Sequence, residues 1–133
     1  MFQSADLLER HASAAEALSA AHGGLSWIAA ADPAGLTSEE RGDLLRGLIA
    51  LDSVKLAADT AVLGAFHQLE DYAADGQASA AGWAAWQART SRQSVAAKLA
   101  WWRKLAGRPH LRAALAAGLL SVSWASQILA WLG

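Results

Sequence analysis

Cysteine is absent from this chain of 133 residues, and residues that favour strands are scarce. Without thiols there can be no disulfide, no thiolate metal site and no cysteine nucleophile. The chain has only two Phe and one Tyr, and few Val or Ile. Hydrophobic residues still make up 54% of it, with a large share of alanine, the best helix former. Composition therefore predicts an ordered, all-α protein.

A secretory signal is also missing, because MFQSADLLER has acidic residues where a basic start and an apolar run would be needed. With the lack of cysteine, this predicts a cytoplasmic protein. Residues 113–133 carry no charge and could span a bilayer by length alone. Gly118, Ser121 and Gln127 interrupt the stretch, so we favour a buried helical segment. A membrane tail anchor is the third-ranked interpretation.

Helix start and stop signals divide one predicted helical domain, residues 1–133, into three parts. The first part, residues 1–36, holds a helix that begins after Ser4 and ends at Gly23-Gly24, followed by a connector. The second part, residues 37–73, is one long central helix that starts at the capping box of Thr37 and Glu40. We expect a helical bundle built around this long helix.

The long helix carries a stripe of apolar residues at spacings of three and four, with Lys55 filling one gap. The stripe predicts that one side of the helix is buried by packing. Its members are Leu44, Leu48, Leu51, Ala58, Val62, Ala65, Leu69 and Tyr72.

The third part, residues 74–133, is predicted to be a cluster of short helices. Ser79 and Ser91 can cap two of them, with a tight turn at Thr90-Ser91. Gly107 stops the second helix, and Pro109 can start a third. Gly118 ends that helix, and Ser121 or Ser123 caps the last one.

Charge is divided unevenly along the chain, although the overall net charge is −1. Residues 1–78 contain all 12 acidic residues and four basic ones, a net charge of −8. Residues 79–133 contain seven basic residues and no acid, a net charge of +7. Such asymmetry suggests that the basic half meets a polyanion. Attraction between the two halves within the fold explains it nearly as well.

Residues 79–105 have the order helix, tight turn, helix that a helix-turn-helix DNA reader requires. Arg89, Arg92 and Gln93 lie at the turn and at the start of the second helix. There, Arg can contact phosphate or guanine and Gln can contact adenine. The further predicted phosphate contacts are Arg103, Lys104, Arg108 and Arg112. The motif alone favours a plain helical hairpin, since any helical bundle contains such pieces. The uneven division of charge and a family resemblance give the two interpretations equal weight.

The helical wheel of the second helix indicates which side is buried. The predicted buried stripe consists of Val95, Leu99, Trp102 and Ala106. Arg92 and Arg103 flank this stripe, whereas Lys98 and Lys104 point in other directions. The basic residues therefore do not form one clean stripe on this helix.

Seven tryptophans are many for this length, and most of them should lie in the core. Trp101 and Trp102 are adjacent, so both cannot face the same core from one helix. Trp101, Trp124 and Trp131 are the candidates for an interface that would favour self-association. A protein-interaction or oligomerisation module is accordingly the alternative to DNA binding.

No catalytic constellation stands out in the sequence. Glu39, Glu40 and Asp43 lie in the first turn of a helix, where acids suit the helix dipole. His67 lies at metal-ligand spacing from Glu70 and Asp71, but a solvated helix end is the better interpretation. Glycine-rich phosphate loops are absent. We expect no enzyme activity, metal, cofactor or small-molecule substrate.

The chain from about residue 38 onward resembles the actinobacterial 13E12 repeat family, also known as domain of unknown function 222. The resemblance rests on LLRGLIALDSVKLAADTAVLGAF and on Asp75-Gly76, Ser79, Trp83, Thr90-Ser91-Arg92, Ala96–Leu105, Pro109, Ala114-Leu115, Gly118, Ser121 and Gln127-Ile128. Many members of that family carry a C-terminal HNH endonuclease domain. This chain has no HNH motif and resembles only the helical part. The resemblance thus implies a truncated or short relative with a non-catalytic, DNA-facing accessory role.

Overall fold

The structure, a computed structural model, describes residues 13–132, and within that range it is all-α, with helices joined by turns and no strand, as the sequence predicts. The α-helices of this range are α1 (Ala14–Ala30), α2 (Ser38–Gln68), α3 (Ala80–Gln87), α4 (Arg92–Ala106), α5 (Pro109–Ala116) and α6 (Val122–Leu132). Short 3-10 turns occur at Pro33–Gly35 and Asp71–Asp75. The chain divides into two compact units between Arg41 and Gly42.

The first unit contains α1, which begins at Ser13, whose side chain accepts a hydrogen bond from the Glu16 amide at 3.1 Å. The predicted stop at Gly23-Gly24 is wrong, because the helix continues to Ala30. A glycine weakens a helix by only about 1 kcal/mol, and it ends one when the backbone turns left-handed there. The chain leaves the helix at Ala31, just before the Asp32-Pro33 turn. The predicted start after Ser4 lies outside the described residues.

The long helix α2 starts where the capping box predicts. The Thr37 hydroxyl oxygen accepts from the Glu40 amide, and the Glu40 carboxylate accepts from the Thr37 amide, both at 3.1 Å. With 31 residues the helix is roughly 46 Å long. It stops at Gln68, earlier than predicted, and Glu70 takes a left-handed conformation with φ 54°.

One side of α2 is covered, and small side chains dominate it. The buried residues are Ser53, Leu56, Ala57, Thr60 and Gly64, which recur at helical spacing. The Thr60 hydroxyl donates back to the carbonyl oxygens of Leu56 and Ala57, so its burial leaves no donor unpaired. A Cβ added to Gly64 would overlap the indole ring of Trp102. The covering helices therefore approach the α2 backbone closely.

The predicted buried stripe of α2 lies on the other side. Val62 is 71% exposed and Leu69 is 73% exposed, while Leu51, Ala58 and Ala65 are also exposed. Leu44, Leu48 and Tyr72 are half-buried. The prediction was wrong because the spacing of apolar residues identifies an apolar face of a helix but does not show whether another helix packs on that face. Close approach of Trp102 instead requires a face of small residues.

The second unit packs around a core shared by α2, α4, α5 and α6. Leu105 and Leu115 are fully buried, together with Leu56, Ala57 and Ala125. Each fully buried leucine contributes about 1.5–3 kcal/mol of hydrophobic stabilisation. Gly118, with φ 70°, lets the chain turn between α5 and α6 and packs against Ala50 and Val54 of α2. This core fixes α4 against the long helix.

Candidate nucleic-acid interface

Helices α3 and α4 form a helix-turn-helix unit with a turn at residues 88–91. Ser79 and Ser91 cap the two helices as predicted, by accepting from the amides of Gly82 and Ser94 at 3.0 Å. Trp83 secures α3, since its ring lies 4.6 Å from that of Phe66 and its indole NH donates to Asp75 at 2.8 Å. The unit is therefore a defined supersecondary structure.

Four predicted contact residues share the solvent side of α4. Arg92, Gln93, Arg103 and Lys104 are all exposed. At 100° per residue, they span an arc of roughly 120°. Lys104 lies beside Gln93 on this arc, about 100° around the helix from Arg103, so it points in another direction from Arg92 and Arg103, as the helical wheel predicts. The buried stripe differs from the prediction at one end, because Leu105 is buried and Ala106 is exposed.

Lys98 points the other way and has an acidic partner in α2. Its ammonium lies 3.0 Å from a carboxylate oxygen of Asp59, which also pairs with Lys55 at 2.8 Å. Partial burial disfavours the charged form of Asp59. Hydrogen bonds and attraction from the two lysines outweigh that burial and hold the pKa of Asp59 below its ordinary value.

For Lys98, the positive charge is thus explained by attraction between the acidic and basic halves of the chain, because Lys98 pairs with Asp59. Sequence reasoning did not single out Asp59, although its i, i+4 spacing from Lys55 was a signal. The other six basic residues of the second half form no ion pair with a carboxylate of residues 13–132. Among the described residues, nothing neutralises their charge, which solvent or an external anion can meet.

Arg89 and Arg92 lie at the N-terminal end of α4. Arg92 is the first residue of the helix, and Arg89 holds a left-handed conformation with φ 53° in the turn before it. A helix N-terminus is already partially positive, so cations there lower helix stability by about 0.3–1 kcal/mol. The left-handed conformation adds about 1–2 kcal/mol of strain for a residue other than glycine. An anion at this end would offset the repulsion.

The remaining basic residues surround the C-terminal end of α4, where cations suit the helix dipole. Arg103 and Lys104 are in its last turn, and Arg108 donates to the Lys104 carbonyl oxygen at 3.0 Å. Arg108 is half-buried, and through this hydrogen bond it caps the helix, in addition to any contact with a ligand. Helix stability alone can explain these three cations, in contrast to Arg89 and Arg92.

Two grooves flank this end of α4. One, of about 470 Å³, lies between α2, α4 and α5, with Trp102 in its wall and Arg112 at its edge. The other, of about 480 Å³, lies between α4 and α6 and is lined by Trp101, Lys104 and Arg108. The lining of each groove contains one tryptophan and at least one cationic residue.

The three candidate interface tryptophans do not lie in one environment. Trp101 is half-buried and packs against the core cluster, and α6 covers it. Trp124 and Trp131 are 58% and 67% exposed on α6, with ring centroids 6.3 Å apart. The structure therefore groups Trp124 with Trp131 and separates Trp101 from both.

Acidic and histidine side chains form no metal-binding arrangement in the part of the chain that the structure describes. His67 packs edge-on against Trp102, with ring centroids 5.7 Å apart. Among residues 13–132, no helix combines the length and the apolar character needed to cross a membrane.

Comparison of the chain with protein-family models, curated proteins and solved structures found no match. The fold and site define an all-α domain with a basic helix-turn-helix unit. The resemblance to the 13E12 repeat family stays a prediction.

Proposed function

We propose that this protein is a non-catalytic, cytoplasmic helical domain that binds DNA through the exposed side of α4. In this proposal it is a relative of the helical part of 13E12 repeat proteins. Arg89 and Arg92 bind phosphate at the N-terminal end of the helix, and Gln93 lies next to the bases. Arg103, Lys104, Arg108 and Arg112 bind phosphates further along the duplex.

The observation that carries this proposal is the placement of Arg89 and Arg92. Both are exposed, both lie where a cation lowers helix stability, and neither pairs with a carboxylate of residues 13–132. Phosphate groups bind well at helix N-termini, where amide groups and the helix dipole add to arginine. Arg92 and Arg103 lie about 16 Å apart along the helix, a distance that spans several phosphates.

Fluorescence anisotropy with a random-sequence duplex at several salt concentrations tests the proposal. The double variant Arg89→Asn, Arg92→Gln should bind more weakly to every sequence, and its salt slope should fall by about two units. Asparagine is chosen at position 89 because it tolerates the left-handed conformation.

Arg46→Gln is the matched control for loss of an exposed arginine. Arg46 lies in the acidic half and pairs with Asp43 of the same helix. Its removal should leave the affinity and the salt slope unchanged. An unchanged slope in the double variant, or absence of binding by the native protein at low salt, would contradict the proposal.

A further inference from the structure

The apolar stripe on α2 has the spacing of a coiled coil. From Leu44 to Leu69 its positions alternate by four and three residues without a break, with Lys55 as the one polar member. This is the repeat at which two helices pack along each other, with a and d positions in the seam. The helix is continuous to Gln68, and the Leu69 amide still donates to the Ala65 carbonyl oxygen at 2.9 Å.

The other face of the same helix carries the core of the second unit. The buried residues Ser53, Leu56, Ala57, Thr60 and Gly64 all fall at b, c and f positions of the repeat. Most of the seam therefore points away from α4, α5 and α6, and Ala65 is the member that also borders the groove between α2, α4 and α5. Val62 and Leu69 are largely exposed there. A second helix can consequently pack on the seam without disturbing the core.

The order of large and small residues in the stripe favours an antiparallel pair. A two-fold axis midway between residues 56 and 57 sets each alanine against a long side chain. The resulting pairs are Leu44 with Leu69, Leu48 with Ala65, Leu51 with Val62, and Lys55 with Ala58. A parallel pair would instead set Ala58 and Ala65 against themselves and leave gaps, which a packed seam does not tolerate.

Charge points to the same arrangement. In a parallel pair Lys55 would face Lys55 of the other copy, which is unfavourable in a desolvated seam. In the antiparallel pair it lies over the small Ala58 of the other copy, next to Asp59. Asp59 already attracts Lys55 within one chain at 2.8 Å. A single lysine at an a position is a known means of fixing register in coiled coils.

We propose that two copies of this chain form an antiparallel dimer through the α2 seam. The occupant of the exposed stripe is thus a second copy, related by a two-fold axis that makes the surface self-complementary. The dimer does not depend on DNA binding, and the tryptophans of α6 take no part in it.

Sedimentation equilibrium on the full chain tests the proposal. Val62→Glu should weaken self-association at least about a hundredfold, because each dimer would bury two unpaired carboxylates in the seam. Val62 is exposed in the single chain, so the variant should keep its helical circular dichroism. Leu119→Glu is the control, since Leu119 is 82% exposed between α5 and α6 and lies outside the seam. It should associate like the native protein.

Engineered cysteines test the direction of pairing, and the absence of native cysteine leaves no other thiol. An oxidised mixture of Leu51→Cys and Val62→Cys chains should form a disulfide-linked heterodimer, while each variant alone should not cross-link. Homodimeric cross-links in the separate samples would show a parallel pair and overturn the proposal. A monomeric native protein would also overturn it, as would a dimer that persists in Val62→Glu and is lost in the double variant Trp124→Ala, Trp131→Ala.

Discussion

The two long faces of α2 differ in the size of their side chains, and it is the face with smaller side chains that the other helices cover. The covered face carries small residues and one leucine, and it holds the backbone of α2 close to Trp102. The opposite face carries larger side chains, including Val62 and Leu69, and leaves them exposed. Close packing within the fold therefore uses the less hydrophobic face. The larger apolar side chains remain at the surface.

The largest expected effect tests the core that rests on the covered face. Leu115→Ala should lower the free energy of unfolding by about 2–5 kcal/mol, because Leu115 is fully buried and its truncation leaves a cavity. Leu119→Ala, four residues later and exposed, should change it by less than about 0.5 kcal/mol. Urea unfolding of both variants measures the difference. Equal effects would contradict the burial of α5 against the core.

A pair of glycine substitutions within α2 sharpens the contrast between its faces. Gly64→Ala should destabilise the protein by about 1–3 kcal/mol, because the new methyl group would overlap the Trp102 ring. Gly47→Ala should stabilise it by about 0.5–1 kcal/mol, since nothing lies near a Cβ there and alanine favours the helix. The midpoint temperature of thermal unfolding should fall in Gly64→Ala and rise in Gly47→Ala. Stabilisation by both would mean that the covered face is not closely packed.

The smallest expected effect concerns Asp59, which links α2 to Lys98 of α4. Asp59→Asn should lower stability at neutral pH by about 0.5–1 kcal/mol. Because folding lowers the pKa of Asp59, its contribution is complete above the pKa of the unfolded chain. That contribution is lost as the pH falls through the lower folded value. The stabilities of the native protein and the variant should therefore begin to converge as the pH falls below about 4 and should meet only below the folded pKa of Asp59. A constant difference in stability would contradict the ion pair.

Local signals predicted most helix boundaries, and long-range packing explains the boundaries and faces that they missed. The capping hydroxyls of Thr37, Ser79 and Ser91 act within three residues, so sequence alone identifies them. The continuation of α1 through Gly23-Gly24 depends on the summed helix-forming tendencies of many residues, which outweigh the cost of the two glycines. The covered face of α2 depends on Trp102, which is distant in sequence from Gly64.

The sequence predicted where the basic residues lie on the helices, but not which of them have partners within the fold. Sequence placed Arg89, Arg92 and Gln93 at the turn and start of α4, where the structure has them. It could not assign Lys98 to Asp59, because that ion pair joins helices far apart in the chain. It also could not separate the half-buried Arg108, which caps α4, from the exposed cations.

The seam and the covered face lie on opposite sides of α2, and this arrangement would determine how the proposed dimer could bind DNA. Most of the seam faces away from α4, and the basic arc of α4 faces away from α2. A dimer through the seam, as proposed, would thus present its two basic surfaces on opposite sides, facing away from each other. If each surface binds DNA as proposed, such a dimer would engage two separate duplexes instead of two half-sites of one duplex.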